Sequence, residues 1–547
     1  MSKARSIFRS GFADGLDAVS ARIRRPQETP MNIRPQIGLL GVLLAAMSAD
    51  LNEFVSLTTL TDLRGALGIS YDPGLWIDSL YVSGAAVGMA FAPWNAVTFT
   101  LRRFTLFAIG LACVVTVLIA FAQNLQALLA LRVIQGLSGG LTIPLLMTTA
   151  LRVLPPQIRI YGLAVYALTV TFTPNISISL AALWVDVMGD WRFVFLQAVP
   201  LDAIAAVLVW YGLPQDPPRY ERLRQFDWRG ALLILVGGGS LTTLMLHGDQ
   251  YDWFNSPTIS LLALASAVAF PLLIVNEWFH PLPLLKLQML GRRNFAYGAI
   301  ALALFVIVST TSSAIPQEFL ADMQSYRPLQ EQRIDLLLSL AQVALLPAAA
   351  FLLDHKQIDA RAVMLCGLAL VLAACLGAAR VDSSWNRDQF YFWQYLQMVG
   401  QPMIAVSLLM LATNTVKGPE ESPFVSALIN GIRGLADPAG TWLVELVTRW
   451  RGGLHSDRLV DQVGQNWFRI TQPQRVEPRA PVWLLPNDHP GAAHSLQQFA
   501  HMIAQQAAVM TYADTFLIMA ALCVALILVT LVLPVHTDPP RIVFARR

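Results

Sequence analysis

Long apolar runs, separated by short polar stretches, repeat along nearly the whole chain of 547 residues. A helix needs about 20 apolar residues to cross a hydrocarbon core about 30 Å thick. The runs that approach this length lie approximately at 37–59, 76–98, 104–122, 126–148, 161–185, 193–213, 230–247, 258–278, 295–316, 334–353, 362–379, 391–413, 424–448 and 514–534. Because a helix satisfies its own backbone hydrogen bonds in lipid, the pattern predicts an all-α integral membrane protein with fourteen spans.

The composition excludes a soluble multidomain enzyme. Hydrophobic residues make up 55% of the chain, charged residues only 13%, and the mean hydropathy is +0.53, whereas soluble proteins have about 25% charged residues. The four cysteines lie inside apolar runs without a CxxC spacing, which favours core packing over disulfides or metal ligands. Neither a GxxxxGK[ST] nor an HExxH motif occurs, so no cofactor, metal or enzymatic activity is expected.

Lys and Arg indicate the orientation. They are concentrated in the loops that lie inside when the N-terminus is placed in the cytoplasm, as at Arg102–Arg103 and Arg292–Arg293. The positive-inside rule therefore predicts a multi-pass protein of the cell inner (plasma) membrane with both termini in the cytoplasm. The net charge of +3 is sorted by side of the membrane and gives no reason to expect a nucleic-acid partner. Residues 1–35 lack the apolar core of a secretory signal and fit either an interfacial amphipathic helix or a solvated tail.

Ionisable residues within the predicted spans are candidates for function, because each costs about 2.5–3.5 kcal/mol in mid-bilayer. They are Asp50, Glu53, Arg132, Asp202, Arg433 and Asp437. Asp50 and Glu53 are three residues apart and share a helix face. Glu53 lies roughly 24 Å from the inner end of its span and Arg132 roughly 9 Å from the outer end of its own. The depths nearly coincide, so we expect Arg132 beside these carboxylates.

Such a site is a proton switch if a carboxylate exchanges its arginine partner for a proton. The alternative is a static ion pair that holds two helices together. For Asp202, contact with a cavity and helix packing are both open. Arg433 and Asp437 are i,i+4 neighbours that can pair within one helix, which favours a structural role, and Pro438 provides a kink.

Several segments resemble the fourteen-span drug:proton antiporter family of the major facilitator superfamily. The fourth span carries Leu131–Gly136 followed by Gly139-Gly140, which is similar to the arginine–glutamine–glycine motif of that family. Further similar segments are Trp76 with Tyr81, Asp190–Phe195, His247–Phe254, Asn294-Phe295, Arg433-Gly434 and Asp354–Arg361. Four segments depart from the family, among them Asp50–Glu53, where the family usually has one aspartate, and Ala436–Pro438, where it has small residues. The loop after the second span, Asn95–Arg103, has lost its acid, and the fifth-span motif survives only as Pro174-Asn175.

The resemblance implies a major facilitator fold of two six-helix bundles plus two extra central spans. The corresponding organisation is an N-terminal tail at 1–35, a bundle at 36–213, two central spans with loops at 214–294, spans nine to thirteen at 295–448, an extracytoplasmic segment at 449–513, the last span at 514–535 and a tail at 536–547. In the extracytoplasmic segment, a Pro-rich middle is followed by an amphipathic helix that runs into the last span.

The resemblance also implies proton-coupled, multidrug-type efflux of small amphipathic or lipophilic compounds by alternating access. Asp50 or Glu53 would carry the proton and Arg132 would set its affinity. Candidates for the substrate cavity are Asp202, Gln135, Asn52, Gln342 and Gln401. Gating or structural roles fall to Gly136, Pro174, Arg102, Arg103, Asp354, Arg361, Arg433 and Asp437. The alternatives are a dedicated carrier for one metabolite or siderophore-like compound, which the fifth span motivates, and an export assembly in which 449–513 docks a periplasmic adaptor protein.

Overall fold

The computed structural model describes residues 33–154, 158–355, 358–413, 421–471 and 492–532, with side chains described except at 310–313, 463–471 and 492–499. All regular elements in these residues are helical. They are α1 Arg34–Thr58, α2 Leu60–Leu67, α3 Tyr71–Phe99, α4 Leu101–Ala120, α5 Leu125–Val153, α6 Arg159–Thr171, α7 Thr173–Ala181, α8 Arg192–Leu196, α9 Ala198–Gly212, α10 Trp228–His247, α11 Pro257–Phe279, α12 Arg293–Gln324, α13 Pro328–Asp354, α14 Ala360–Ala378, α15 Arg387–Thr413, α16 Ser422–Thr471 and α17 Ala492–Val532. A π-helical segment, Ala182–Val187, follows α7, and three short 3₁₀ turns lie in loops.

Each predicted span coincides with one of these helices or with a consecutive pair of them. By length and apolar composition, twelve helices of the described part can cross a membrane, or thirteen when the bent pair α6–α7 counts as one span. α16 takes the place of the thirteenth predicted span but is not among them, because its sequence mixes apolar residues with Arg433, Asp437 and Glu445. The all-helical membrane fold is confirmed, and the number fourteen stays a prediction.

Local sequence signals explain several helix ends. The side chain of Asn124 accepts a hydrogen bond from the backbone N–H of Gln126 at 3.0 Å, at the start of α5. Asp227 and Asp359 cap α10 and α14 in the same way. Such caps contribute about 1 kcal/mol each. Between α6 and α7 the axis bends by 42° where Pro174, which has no N–H to donate, stands in the first turn of α7.

Glycines set the close packing of α3 against α5. A Cβ at Gly136 would overlap the backbone carbonyl of Tyr81, and a Cβ at Gly140 would overlap that of Ala85. On the facing helix, a Cβ at Gly84 would come within 2.6 Å of the carbonyl oxygen of Val133. Small residues that let helix backbones touch are a common device in membrane proteins. This contact fixes the relative positions of Asp78 on α3 and Arg132 on α5.

The two halves, α1–α9 and α12–α17, meet along α16 and α13. Ser426 on α16 donates to the carbonyl of Pro144 on α5 at 2.8 Å, and Tyr166 on α6 donates to Asn430 at 2.8 Å. α13 packs against α6 and α7. Of the two central helices, α10 contacts α3 through a hydrogen bond of 2.6 Å between Ser79 and His247.

Three of the predicted segments lie outside the residues that the structure describes. Residues 1–32, 472–491 and 533–547 lie outside the described residues, and with them the predicted interfacial helix, the Pro-rich loop and the C-terminal tail. α17 runs without interruption from Ala492 to Val532, which agrees with a helix leading into the last span. The domain boundaries given above stay predictions.

Candidate proton-coupling site

Two buried guanidinium groups and four carboxylates gather where α1, α3, α5 and α16 meet. We call this group the charge cluster; its members are Asp50, Glu53, Asp78, Arg132, Arg433 and Asp437. α16 belongs to the second half of the fold and the other three helices to the first half. The charge cluster therefore spans the boundary between the halves.

Arg132 is fully buried and its guanidinium group is held from several sides. It donates to the carbonyls of Ile77 at 2.8 Å and Asn52 at 3.3 Å. It also donates to the side chains of Gln135 and Ser56, both at 2.8 Å. Its Cζ lies 4.4 Å from the ring centroid of Tyr81, a cation–π distance. These contacts come from α1, α3 and α5 and fix the guanidinium in place.

The carboxylate nearest to Arg132 is Asp78 of α3, whose Oδ1 lies 3.6 Å from Nη2. The sequence predicts Arg132 beside Asp50 and Glu53, but the ion pair of Arg132 is with Asp78 and that of Asp50 is with Arg433. The reason is the close packing of α3 on α5, which brings Asp78 and Arg132, each the eighth residue of its helix, to the same level. Glu53 still interacts electrostatically with Arg132. The proposed control of proton affinity by Arg132 stays a prediction.

Asp50 pairs instead with Arg433, which reaches across from α16. The distance from Nη2 to Oδ1 is 3.5 Å, and Nη1 of Arg433 donates to Thr169 of α6 at 3.0 Å. The second carboxylate oxygen of Asp50 is buried without a hydrogen-bond partner. Asp437 interacts electrostatically with Arg433, but Arg433 is not confined to its own helix. The pair thus joins the first half to the second.

Glu53 is half-buried and differs from its neighbours. Among the described residues its side chain makes neither a hydrogen bond nor an ion pair. The charges that act on it electrostatically are those of Asp437, Asp78, Asp50, Arg433 and Arg132, three acids and two bases. A carboxylate without a bound cation, in a cluster of other acids, is a chemically reasonable place to hold a proton.

Asp78 is the member of the cluster that the sequence analysis misses. It stands two residues inside the predicted second span, where a charge is read as belonging to the interface. Its depth within the predicted span was the signal that could have identified it. The second and fourth spans run in the same direction, and Arg132 lies only about one turn deeper than Asp78 when the span ends are aligned.

The five candidates for the substrate cavity occupy three places. Gln135 and Asn52 belong to the surroundings of Arg132, and Gln135 also donates to Thr116 at 2.9 Å. Asp202 of α9 is buried and interacts electrostatically with Cys113 of α4. Gln342 and Gln401 are buried in the second half and donate to the backbone carbonyls of Met398 and Ser309. Their role in substrate binding stays a prediction.

The candidate gate residues lie at helix ends. Arg102 stacks over the ring of Trp210 at 5.4 Å, and Arg103 is exposed. Asp354 ends α13 and interacts with Tyr161 of α6, on the other half. Arg361 is half-buried, and its Nε and Nη2 have no hydrogen-bond partner. The described residues contain no ion pair among these four side chains, so their latch function also stays a prediction.

Comparisons with known proteins agree with this architecture. A sequence profile of the Major Facilitator Superfamily matches residues 42–441. The chain is 26% identical over 437 residues to the fatty acid resistance protein FarB of Neisseria gonorrhoeae, covering 77% of this chain and 82% of that protein. It is 24% identical over 432 residues to the multidrug export protein EmrB of Haemophilus influenzae, covering 78% and 82%.

Among solved structures, the fold is similar to that of the human organic anion transporter MFSD10. The TM-score is 0.53 and the identity 14%, with 91% of this chain and 100% of that chain covered. At this identity the likeness concerns the fold alone. The profile match covers most of the chain and includes the whole charge cluster. The chain therefore belongs to the Major Facilitator Superfamily, and it is a multi-pass membrane transporter and not an enzyme.

Proposed function

We propose that this transporter exports small amphipathic or lipophilic organic compounds in exchange for protons, by alternating access. The names of the relatives FarB and EmrB support efflux of such compounds. The observation that carries the proposal is the ion pair between Asp50 and Arg433, which are buried on opposite halves. Rocking of one half against the other must lengthen this pair, and a protonated Asp50 no longer holds it together.

Glu53 completes the exchange in this mechanism. It has no cation of its own and lies among the other acids, so a proton entering the cluster neutralises it or Asp50. Arg132, fixed by its hydrogen bonds, keeps a constant positive charge nearby. One proton that moves through 100 mV supplies about 2.3 kcal/mol, enough for a gradient of roughly fifty-fold.

The proposal includes an orientation. Both termini lie in the cytoplasm of an inner membrane, so that α2 and the segment after α16 face outward. In this orientation the candidate gate residues Arg102, Arg103, Asp354 and Arg361 lie on the inner side. Single-cysteine labelling at an exposed position of α2, such as Gly65→Cys in a background without the four native cysteines, tests it. Modification by an impermeant maleimide from outside intact cells is expected, and modification only after lysis would reverse the topology.

The coupling is tested in everted membrane vesicles loaded with protons by respiration. Addition of substrate to the wild type is expected to release protons, and Asp50→Asn and Glu53→Gln are expected to lower this release at least tenfold. Glu221→Gln, at an exposed glutamate in the loop before α10, is the matched control and should match the wild type. Unaltered proton release in Asp50→Asn, Glu53→Gln and Arg132→Ala would remove the coupling proposal.

Substrate range separates broad efflux from a dedicated carrier. A deletion strain that becomes sensitive to several unrelated toxic compounds supports efflux of the multidrug type. Sensitivity to one compound alone favours a dedicated carrier, for which the weakened fifth-span motif at Pro174-Asn175 is the motivation.

An adaptor protein is the finer part of the proposal. α16 has 50 residues, about 75 Å of helix, which is more than twice the thickness of a hydrocarbon core. Its outer part and the beginning of α17 therefore extend beyond the membrane and offer a docking site for a periplasmic partner. Deletion of residues 455–495 should abolish both export and co-purification of such a partner. If both persist, the segment docks nothing.

A further inference from the structure

The turn between the two central helices, α10 and α11, touches both halves of the fold. We call residues 247–256, which include the last residue of α10, the outer strap. The strap lies on the same side of the molecule as α2, because it contacts the first turns of α3. It is also bound to α16 of the second half. The proposed proton exchange does not use it.

Three side chains on one face of α3 hold the first part of the outer strap. They are Asp72, Trp76 and Ser79. The Oγ of Ser79 lies 2.6 Å from Nε2 of His247. The indole ring of Trp76 stacks on the imidazole of His247, with 4.1 Å between the centroids and 22° between the planes. Asp72 accepts a hydrogen bond from the amide of Gln250 at 2.8 Å. The strap is thus anchored to the first half.

Arg449 of α16 holds the other part of the outer strap. It pairs with Asp249 at 3.0 Å and with Asp252 at 2.6 Å, and the ring of Trp253 lies 5.7 Å from that of Trp442. Asp252 and Trp253 have φ angles of +55° and +52°, a left-handed conformation that residues other than glycine rarely adopt. Contacts with both halves therefore keep the strap in a strained backbone conformation.

The hydrogen bonds of His247 are those of a neutral imidazole. Because the amide nitrogen of Gln250 donates to Asp72, the amide oxygen faces Nδ1 of His247, 3.2 Å away, and Nδ1 carries a hydrogen. Nε2 then accepts a hydrogen bond from the hydroxyl group of Ser79. The side chain of His247 is fully buried. One donor and one acceptor are both satisfied without a charge on the ring.

The helices packed against α10 bring no anion into contact with this ring. Within the described residues His247 forms no ion pair, and Asp72 reaches it only through Gln250. Glu277, the ionisable residue of α11, lies at the other end of that helix. The remaining groups are Tyr71, Asp78 and Tyr81 of α3, which contact Arg64 or Arg132; Asp249, Tyr251 and Asp252 of the strap; and, on α16, Glu445 and Arg449, which act on Asp249, Arg433 and Asp437 of the charge cluster, and Arg451 and His455, which pair with Asp514.

A proton on His247 is therefore less stable in the closed strap than in water. An imidazolium ion buried without an anion loses its hydration. The ring of Trp76 offsets only part of this loss, because a cation–π contact is weaker than the hydration of a buried ion. Once the strap leaves α3, the ring enters water and takes up a proton as free histidine does, at about pH 6.5. The closed strap is thus favoured above this pH and is lost progressively as the pH falls below it.

We propose that protonation of His247 from the outer side releases the outer strap from α3 and lets the outer side of the transporter open. In the proposed orientation, the strap faces the compartment that the proton gradient makes acidic. Opening toward the outside then depends on the gradient that drives export. This inference rests on the proposed function and concerns its regulation, because the strap holds neither the exchanged proton nor the cargo.

The position of the strap is measured by electron spin resonance on the purified full-length protein in detergent. Spin labels at Gly65→Cys of α2 and Phe254→Cys of the strap, in a background without the native cysteines, report their separation. Between about pH 8 and about pH 5.5, the distance is expected to lengthen. His247→Asn keeps an N–H group toward Gln250 but does not titrate, so its distance should stay short. His501→Asn, at an exposed histidine of α17, is the matched control and should lengthen like its parent.

A distance that is independent of pH in the parent, or that still lengthens in His247→Asn, would overturn the proposal. Ser79→Ala tests the same contact without changing the histidine. It removes one hydrogen bond from the closed strap, so the midpoint of the transition should move to a higher pH by about one unit. An unchanged midpoint would show that this contact does not hold the strap.

Transport separates this inference from the proposed function. The lumen of everted vesicles corresponds to the outer side, and uptake of a fluorescent lipophilic dye is compared at lumen pH values of about 5.5 and about 7.5, with the same pH difference across the membrane. The wild type should be at least fivefold faster at the lower value. His247→Asn should be slow at both values. Arg449→Gln, which frees the strap from α16, should be fast at both.

Equal rates of the wild type at the two lumen pH values would refute the inference alone. Arg449→Gln with the pH dependence of the wild type would show that the strap does not hold the halves together. A wild type that takes up no dye at either value would refute the export function, and the spin-label distances would still decide whether His247 releases the strap.

Discussion

The two arginines of the charge cluster have opposite surroundings. The hydrogen bonds of Arg132 go to groups on α1, α3 and α5, all within the first half, and its nearest carboxylate is 3.6 Å away. Arg433 belongs to the second half, yet its contacts with Thr169 and Asp50 lie on the first half. One guanidinium group is held within one half, while the other connects the two halves, which move relative to each other in the proposed mechanism.

This difference separates an arginine that stabilises one half of the fold from an arginine that takes part in the proposed transport mechanism. A group whose donors are satisfied by neighbours within one half keeps its position as the halves rock. A group that bridges the halves gains or loses its partner with every transport cycle, so its ion pair responds to protonation. Arg132 matches a family motif, but in the proposed mechanism the exchangeable pair is Arg433 with Asp50. The following variants test this contrast, from the largest expected effect on stability to the smallest.

Removal of Arg132 should damage the fold itself. Arg132→Ala leaves Asp78 and several buried acceptors without a donor, and breaking such a network costs about 3–5 kcal/mol. Arg132→Lys should restore little, because an ammonium group cannot reproduce the planar fork that reaches Ile77 and Gln135 together. Thermal unfolding in detergent and the monodisperse yield measure the effect. Near-wild-type stability of Arg132→Ala would show that the network is dispensable.

The contact that positions Arg132 is tested at Gly136. A Cβ there meets the backbone carbonyl of Tyr81, which has no flexible end to give way, so Gly136→Ala should cost about 1–3 kcal/mol. Gly110→Ala on α4 is the matched control, since a Cβ at Gly110 meets nothing within 4 Å and alanine favours a helix. Equal melting temperatures of the two variants would mean that α3 and α5 can move apart at Gly136 without a loss of stability.

Arg132 and Gly136 show how much of the fold and of the candidate site can be predicted from the sequence. The apolar runs predicted the position of every long helix, because burial in lipid depends on composition over some 20 residues and not on partners. The motif at Arg132–Gly136 located the site. The ion-pair partner of Arg132 could not be predicted from the sequence, because it depends on how α3 packs on α5. The glycines that allow this packing can be recognised only in the structure.

Two buried carboxylates of α13, Glu331 and Asp335, were missed for a different reason. The apolar run at 334–353 leaves out Glu331 and places Asp335 at its edge, whereas α13 begins at Pro328. Proline in the first turn is a recognised start signal for a helix. Reading Pro328 in this way would have placed both carboxylates inside the helix. Hydropathy averages hide short charged pairs at span ends.

The bridging pair itself should behave as a unit. Asp50→Asn and Arg433→Gln should each reduce coupled export at least tenfold, and the double variant should be no worse than either single variant. For unfolding, we expect a coupling energy of about 1 kcal/mol, since both side chains keep other polar neighbours. A double-mutant cycle on melting temperature and on proton release provides both numbers. Strict additivity in both would show that the two residues act independently.

The weakest contact in this comparison is the ion-pair group of Arg327 with Asp62 and Asp186, which also bridges the halves but lies near the surface. The side chains of Arg327 and Asp62 are 54% and 30% exposed, and exposed pairs contribute about 0.2–1 kcal/mol. Asp186 is 7% exposed, but without Arg327 it keeps its hydrogen bond from the backbone N–H of Leu329. Arg327→Gln should therefore lower the melting temperature by only a few degrees. Because salt screens exposed charges and hardly affects buried ones, 0.5 M NaCl should remove most of the difference from the wild type. The buried pair of Asp50 and Arg433 should keep its coupling energy at the same salt concentration. If salt weakens both pairs equally, Asp50 is as accessible to water as Arg327. Burial would then not distinguish the two ion pairs.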